Sequence, residues 1–143
     1  MKKRGILNER ISGAIAGLGH MDQMIICDAG FPVPKNTEKI DLALSSGIPS
    51  FKDTLKGVLS EMVVEKIVLA AETEKVSPQF YQWLREVFVN QECEVVPHAQ
   101  LKELSKEVKF VIRTGEFIPY ANILLIAASQ PEGFKQGFDV EIK

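Results

Sequence analysis

Glu65-Lys66-Ile67-Val68-Leu69-Ala70-Ala71 is the clearest strand in the sequence, and it decides the fold class. Its apolar run is continuous rather than alternating, which is typical of a strand buried on both faces of a sheet. Helical patterns flank it on both sides. Ser50 caps the preceding helix, and Ser77 with Pro78 begins the following one. Helices that alternate with apolar strands predict an α/β domain with a largely parallel central sheet.

The remaining pattern extends this prediction to most of the chain. A first helix begins after Asn8 and ends at Gly19, and another starts at His98. Further strands are predicted at residues 24–27, 40–44, 93–96, 109–113 and 122–128. We therefore expect a single-domain, three-layer, Rossmann-like arrangement over residues 1–129. Residues 130–143 form a C-terminal tail that we expect to be weakly ordered, with Phe134 and Phe138 able to dock it on a surface.

Composition excludes several classes of function. The 143 residues carry a formal net charge of −2 and contain no Lys/Arg block, so we expect no nucleic-acid partner. No apolar run reaches membrane-spanning length, and the basic N-terminus lacks the apolar segment of a signal peptide. Cys27 and Cys93 lie in or beside apolar runs and are interpreted as buried free thiols. We therefore expect the protein in the cytoplasm.

One histidine and two carboxylates surround the short apolar run at residues 24–27. His20 and Asp22 precede the run, and Asp28 follows it. Histidine both gives and takes a proton near neutral pH, so His20 is a candidate acid/base. On these residues alone a hydrogen-bonded structural histidine is the more common outcome.

Other chemistries find less support in the spacing of residues. The glycines at 13, 17 and 19 precede a strand and do not form G-x-G-x-x-G, and no phosphate-binding P-loop motif occurs. His20, His98 and Asp28 remain a rival metal site of two histidines and one carboxylate, although no helical His-x-x-x-His pair supports it. Cys27 lies inside an apolar strand, where a thiol is usually inert, and no G-x-S-x-G motif is present.

A phenol and a carboxamide stand two residues apart where the last strand begins. Tyr120 and Asn122 close the segment 113–122. If the strand starts there, alternation points both side chains to one face of the sheet, where such groups suit sugar hydroxyls. The alternative is a Gly/Pro loop with an ordinary surface tyrosine.

Taken in chain order, these segments resemble the D-ribose pyranase family, which is related to the fucose mutarotases. The motifs that carry the resemblance are Lys2-Lys3-Arg4-Gly5-Ile6-Leu7-Asn8, Leu18-Gly19-His20-Met21-Asp22, Asp28-Ala29-Gly30-Phe31-Pro32-Val33-Pro34, Ile40-Asp41-Leu42-Ala43-Leu44, Gly47-Ile48-Pro49-Ser50-Phe51 and Arg113-Thr114-Gly115-Glu116-Phe117-Ile118-Pro119-Tyr120-Ala121-Asn122. The resemblance implies a cytoplasmic, cofactor-free enzyme that interconverts the pyranose and furanose forms of D-ribose and supplies the furanose form to a kinase. The alternatives are a fucose-type mutarotase and a sugar-binding accessory protein without catalysis.

The same resemblance implies roles for individual residues. His20 corresponds to the proton donor. The corresponding sugar-binding positions are Asp28, His98, Lys102, Tyr120 and Asn122. Asp28 either orients His20 or binds a sugar hydroxyl. The resemblance also implies a homo-oligomer, commonly a decamer of two stacked pentameric rings, with pockets at subunit contacts. The tail at residues 130–143 departs from the family pattern.

Overall fold

A computed structural model describes residues 1–130 of the chain. Its strands are β1 (Gln23–Cys27), β2 (Lys39–Asp41), β3 (Val64–Ala70), β4 (Glu92–Val96), β5 (Phe110–Arg113) and β6 (Ile123–Ala127). Its helices are α1 (Glu9–Ala16), α2 (Phe51–Leu59), α3 (Ala71–Val76), α4 (Pro78–Val87) and α5 (His98–Leu104). The predictions for the C-terminal tail, including Phe134 and Phe138, concern residues that lie outside the described part of the chain from residue 131 onward.

The six strands form one mixed sheet in the order β2-β5-β1-β6-β3-β4. The pairs β2–β5, β1–β5 and β3–β4 are parallel, whereas β6 is antiparallel to both of its neighbours, β1 and β3. The expected α/β domain with a mostly parallel sheet is confirmed, with one reversed strand in the interior. Because β6 is antiparallel to the other five strands, its first residue lies at the end of the sheet where those strands terminate.

Burial on both faces explains the continuous apolar runs. Met24 and Ile26 of β1 belong to a hydrophobic cluster that includes residues of α1, α2 and α4. Ile25 and Cys27 point to the opposite cluster, which includes Leu101 of α5. These four β1 side chains all have zero exposure. At about 1.5–3 kcal/mol for each large apolar side chain buried, such strands contribute strongly to holding the sheet together.

The predicted second strand, residues 40–44, is too long. It ends at Asp41, whose Oδ1 accepts the Ala43 N–H at 3.0 Å. The Leu44 N–H donates to the Ile48 carbonyl at 2.9 Å, and the Leu44 side chain is 80% exposed. Local partners thus replace the ladder hydrogen bonds that a longer strand would need.

Other boundaries also differ from the sequence expectation. α1 ends at Ala16, with Gly17 rather than Gly19 closing it. α3 was not predicted. Ser77 precedes α4 but makes no capping bond, because its Oγ donates to the Pro119 carbonyl at 2.7 Å. Cys93 is only half-buried, not buried as predicted. No helix within residues 1–130 has the length and apolar character needed to cross a membrane.

Gly115 has no room for a side chain. A Cβ there would lie 2.5 Å from the Ser45 carbonyl oxygen and within 2.8 Å of two Ile48 backbone atoms. Backbone cannot yield as a flexible side chain can, so we expect Gly115→Ala to lower the free energy of unfolding by about 1–3 kcal/mol. Urea denaturation measures the change.

Gly13→Ala is the matched control for this substitution. Gly13 lies in α1, and its added Cβ would meet nothing within 4 Å. Alanine there should stabilise the protein by roughly 0.5–1 kcal/mol. Equal effects of the two substitutions would contradict the steric account of Gly115.

Candidate active site

Four polar side chains lie at the end of the sheet where the parallel strands terminate. They belong to Asp28, His98, Tyr120 and Asn122, which we refer to as the polar group. Asp28 follows β1 directly, and His98 begins α5 two residues after β4. Tyr120 and Asn122 come just before β6, whose reversed direction brings its start to the same end of the sheet. The carboxyl ends of strands in open α/β sheets are the usual place for ligands.

Asn122 and Asp28 form the buried part of this group. Asn122 is only 1% exposed, and its Oδ1 accepts the Asp28 backbone N–H at 2.9 Å. The Asp28 Oδ1 accepts the Gly30 N–H at 3.0 Å. Burial raises the pKa of Asp28, and the backbone hydrogen bonds from Gly30 and Phe31 oppose that rise. The carboxylate is thus held in a fixed orientation in a partly desolvated place.

His98 packs edge-on against two aromatic rings. Its ring centroid lies 5.0 Å from that of Tyr120 and 5.9 Å from that of Phe31. Burial lowers the pKa of His98, and the nearby charge of Lys102 lowers it further, which favours the neutral imidazole. The His98 Nδ1 is buried and finds no hydrogen-bond partner within residues 1–130. A buried polar atom left unpaired costs about 1–3 kcal/mol, so this nitrogen is suited to a ligand hydroxyl.

The unpredicted helix α3 holds both aromatic residues of the group. Glu72 Oε2 accepts the His98 backbone N–H at 2.9 Å, and Thr73 Oγ1 donates to the Tyr120 carbonyl at 2.9 Å. Sequence reasoning missed both residues. The signal was present, because Glu72 and Thr73 are polar residues that follow a buried strand, as Asp28 does.

Tyr120 and Asn122 come together by a turn and not by strand alternation. β6 starts only at Ile123, and Tyr120 has a φ of 58°, in the left-handed region. The Tyr120 carbonyl accepts the Asn122 N–H at 2.9 Å, which closes a tight turn. The expectation of two alternating strand residues was therefore wrong, although both residues reach the same end of the sheet.

Asp28 also borders an open cavity of about 450 Å³. Arg113 also lines this cavity and donates from Nε to the Ala29 carbonyl at 3.0 Å. Its Nη1 lies 3.0 Å from Asp41 Oδ2, which ties the end of β5 to the end of β2. The other lining residues are Gly30, Glu116, Phe117, Ile118 and Pro119.

His20 lies at the opposite end of the sheet, where the parallel strands begin. It precedes β1, whose five residues span about 17 Å at the usual strand rise. Its side chain is 51% exposed, and its Nε2 lies 3.3 Å from Glu65 Oε1. Within one chain, Asp28 therefore does not orient His20. The rival metal site is split in the same way, and residues 1–130 hold no cluster of three His, Cys, Asp or Glu side chains suited to a metal ion.

Comparison with known proteins decides the family. Residues 1–129 match the model of the RbsD / FucU transport protein family. The chain belongs to this family. Among its RbsD / FucU relatives, the D-ribose pyranase of Bacillus subtilis strain 168 is 47% identical over 127 residues, which cover 89% of this chain and 97% of that protein. The D-ribose pyranase of Clostridium perfringens strain SM101 is 46% identical over 125 residues, covering 87% and 95%.

Two solved structures show the same fold. Bacillus subtilis RbsD complexed with D-ribose superposes with a TM-score of 0.86 at 47% identity, covering 90% of this chain and 98% of that one. The fucose mutarotase of Streptococcus pneumoniae, solved with L-fucose, has a TM-score of 0.69 at 18% identity and covers 85% and 93%. The second likeness shows the fold alone.

Proposed function

We propose that this protein is a D-ribose pyranase, an isomerase that interconverts the pyranose and furanose forms of D-ribose. The observation that carries the proposal is the likeness to Bacillus subtilis RbsD complexed with D-ribose, at 47% identity and a TM-score of 0.86. The polar group at the strand ends supplies the hydroxyl-binding chemistry that such a substrate requires. The furanose form would then be available to a kinase.

Each member of the group has a proposed contact with the sugar. Asp28 accepts a hydrogen bond from a sugar hydroxyl, and the unpaired His98 Nδ1 forms a hydrogen bond with another hydroxyl of the sugar. Tyr120 and Asn122 fix the orientation of the ring, and Lys102 lies close enough to His98 to influence its pKa. These roles rest on the burial of Asp28 and Asn122, on the unpaired nitrogen of His98, and on its edge-on packing with Tyr120.

The reaction needs only proton transfers. A base takes the proton of the anomeric O–H, the bond between the anomeric carbon and the ring oxygen breaks, and an acid protonates that oxygen to leave an open-chain aldehyde. A different hydroxyl then attacks the aldehyde carbon and loses its proton, while the carbonyl oxygen gains one. We propose that His20 protonates the departing ring oxygen and later accepts the proton of the hydroxyl that closes the new ring.

His20 acts, in this proposal, on sugar held by a second copy of the chain. The length of β1 separates it from the Asp28 group of its own chain. Near that group, Leu44 and Phe117 line one open cavity, and the side chains of Leu44, Ile48 and Phe117 are 80%, 54% and 68% exposed, as suits contact with a neighbouring subunit. We propose a homo-oligomer with sites between subunits, assembled as a decamer of two pentameric rings. It would act in the cytoplasm, where Cys27 and Cys93 stay as free thiols.

NMR exchange spectroscopy on D-ribose tests the activity. Added protein should accelerate exchange between pyranose and furanose signals, while L-fucose exchange should respond much less. Faster exchange of fucose than of ribose would favour the fucose-type alternative. Ribose binding without faster exchange would favour a sugar-binding accessory protein.

Ribose affinity should fall on the acid side of neutrality. Binding requires ionised Asp28 and neutral His98. Burial raises the pKa of Asp28 from 3.8 and lowers that of His98 from 6.5, so each group takes up a proton as the pH drops through this interval. We expect constant affinity near pH 7 and progressive loss below pH 6.5. Isothermal titration calorimetry at several pH values measures it.

Asp28→Asn is the control for this pH dependence. Asparagine keeps an Oδ1 that can accept the Gly30 N–H but cannot ionise. The variant should bind ribose more weakly at pH 7 and lose less affinity on acidification. Affinity of the unmodified protein that persists unchanged to pH 4 would contradict the proposed roles.

A further inference from the structure

We propose that Glu65 is a positioning residue for His20, which it holds with Nε2 protonated so that Nδ1 is the nitrogen that exchanges protons with the sugar. The inference rests on the proposed function, because it concerns the residue assigned there as the acid. Four features of the structure support it: a direct contact, a strand irregularity, a shared backbone anchor and the local charge arrangement.

The contact joins one ring nitrogen to a shielded carboxylate. His20 Nε2 lies 3.3 Å from Glu65 Oε1, and the Glu65 side chain is only 20% exposed. A carboxylate beside one imidazole nitrogen favours the proton on that nitrogen. The other nitrogen, Nδ1, is then left for the substrate.

A β-bulge directs Glu65 toward this contact. β3 pairs with β6 through Val64 opposite Ala127 and Lys66 opposite Ile126, so Glu65 is the extra residue of the register shift. Bulges bend a strand and re-aim a side chain, and they are frequent next to active sites.

The loop that carries His20 is attached at the same point. The Met21 N–H donates to the Ala127 carbonyl at 2.9 Å, and the Ala127 N–H donates to the Asp22 carbonyl at 2.9 Å. Because Ala127 also pairs with Val64, the histidine loop and the bulge share one backbone anchor. Glu65 and His20 are therefore held in register by the sheet.

The neighbouring charges leave the Glu65 carboxylate to His20. The adjacent Lys66 pairs instead with Glu94 at 3.0 Å and Glu92 at 3.5 Å, both on the edge strand β4. Within residues 1–130, Glu65 makes no ion pair other than the one with His20.

The arrangement gives each proton transfer a defined path. Protonated His20 carries a proton on both ring nitrogens, and its Nε2 lies beside the Glu65 carboxylate. The Nδ1 proton passes to the departing ring oxygen, which leaves neutral His20 with its proton on Nε2 beside Glu65. Nδ1 then takes the proton of the hydroxyl that closes the new ring, and the imidazolium is restored.

Two substitutions and one control test the inference. Glu65→Ala should lower kcat for ribose exchange by about 10-fold or more, less than removal of His20 itself, with KM changed less than about 2-fold. Glu65→Gln keeps an oxygen that can accept from Nε2 and should recover part of the lost kcat. Glu94→Gln removes a nearby strand carboxylate that does not contact His20, and it should leave kcat unchanged.

Nitrogen-15 NMR of the His20 ring provides a readout that does not depend on activity. The full-length protein with Glu65 should show neutral His20 with its proton on Nε2, and so should Glu65→Gln, whereas Glu65→Ala should show a mixture of the two neutral forms. An unchanged His20 spectrum and kcat in a folded Glu65→Ala variant would overturn the inference. Failure of the unmodified protein to accelerate ribose exchange would instead overturn the proposed function, and the ring spectra would still decide the role of Glu65.

Discussion

Replacement of His20 by alanine should slow ribose ring exchange by about two to four orders of magnitude, the usual contribution of a general acid/base. Ribose binding should persist, because the proposed sugar-binding residues lie at the other end of the sheet. Folding should persist too, since the His20 side chain is 51% exposed and its one ion pair within residues 1–130 is with Glu65. NMR exchange measures the rate, and calorimetry measures the affinity.

The control for this variant is binding itself. A His20→Ala protein that binds ribose with nearly normal affinity but fails to accelerate exchange separates proton transfer from sugar binding. An exchange rate equal to that of the unmodified protein would remove His20 from the mechanism and leave the sugar-binding group without its proposed acid.

Mixing two inactive variants should restore activity. If each site takes His20 from one subunit and Asp28 from another, chains carrying His20→Ala and chains carrying Asp28→Ala complement each other. In randomly mixed oligomers made in equal amounts, about a quarter of the sites would contain both native residues. Exchange should then recover to about a quarter of the normal rate, far above either variant alone.

The mixing experiment requires that subunits exchange or are co-expressed. Native mass spectrometry should verify mixed oligomers and report the number of subunits, with ten expected for two pentameric rings. Each variant processed alone is the matched control. Verified mixed oligomers that remain inactive would contradict a site shared between subunits.

Much of the fold could be predicted because the order of apolar and polar side chains along the chain indicates which faces of each element are buried. The apolar run of β3 and the run 24–27 of β1 are buried on both faces, so their pattern is continuous and points to an interior strand. Asn8 and Ser50 each accept a backbone N–H at a helix start, at 3.0 and 3.1 Å, as their residue types predict. Local chemistry decided these features.

Strand direction and helix α3 depended on contacts distant in sequence. Nothing in the apolar pattern of β6 distinguishes a parallel from an antiparallel partner. The turn that precedes β6 is held by Thr73, 47 residues earlier in the chain, whose Oγ1 donates to the Tyr120 carbonyl. The prediction of a strand over residues 40–44 failed because the Asp41 side chain and the Ile48 carbonyl take the N–H groups that a ladder would use.

The residues of the candidate site were available from the sequence through its resemblance to a known family, since the residue patterns alone left a structural His20 and a surface Tyr120 as alternatives. Their division into two groups was not. Asp28, His98, Tyr120 and Asn122 meet because strand ends converge at one end of the sheet, and His20 lies about 17 Å away because β1 runs between them. The sheet also brings His20 next to Glu65, at a β-bulge that no local sequence pattern predicts. Proximity follows from the sheet, and so the sequence supplies the proposed proton donor while the fold places it apart from the proposed sugar-binding residues of its own chain.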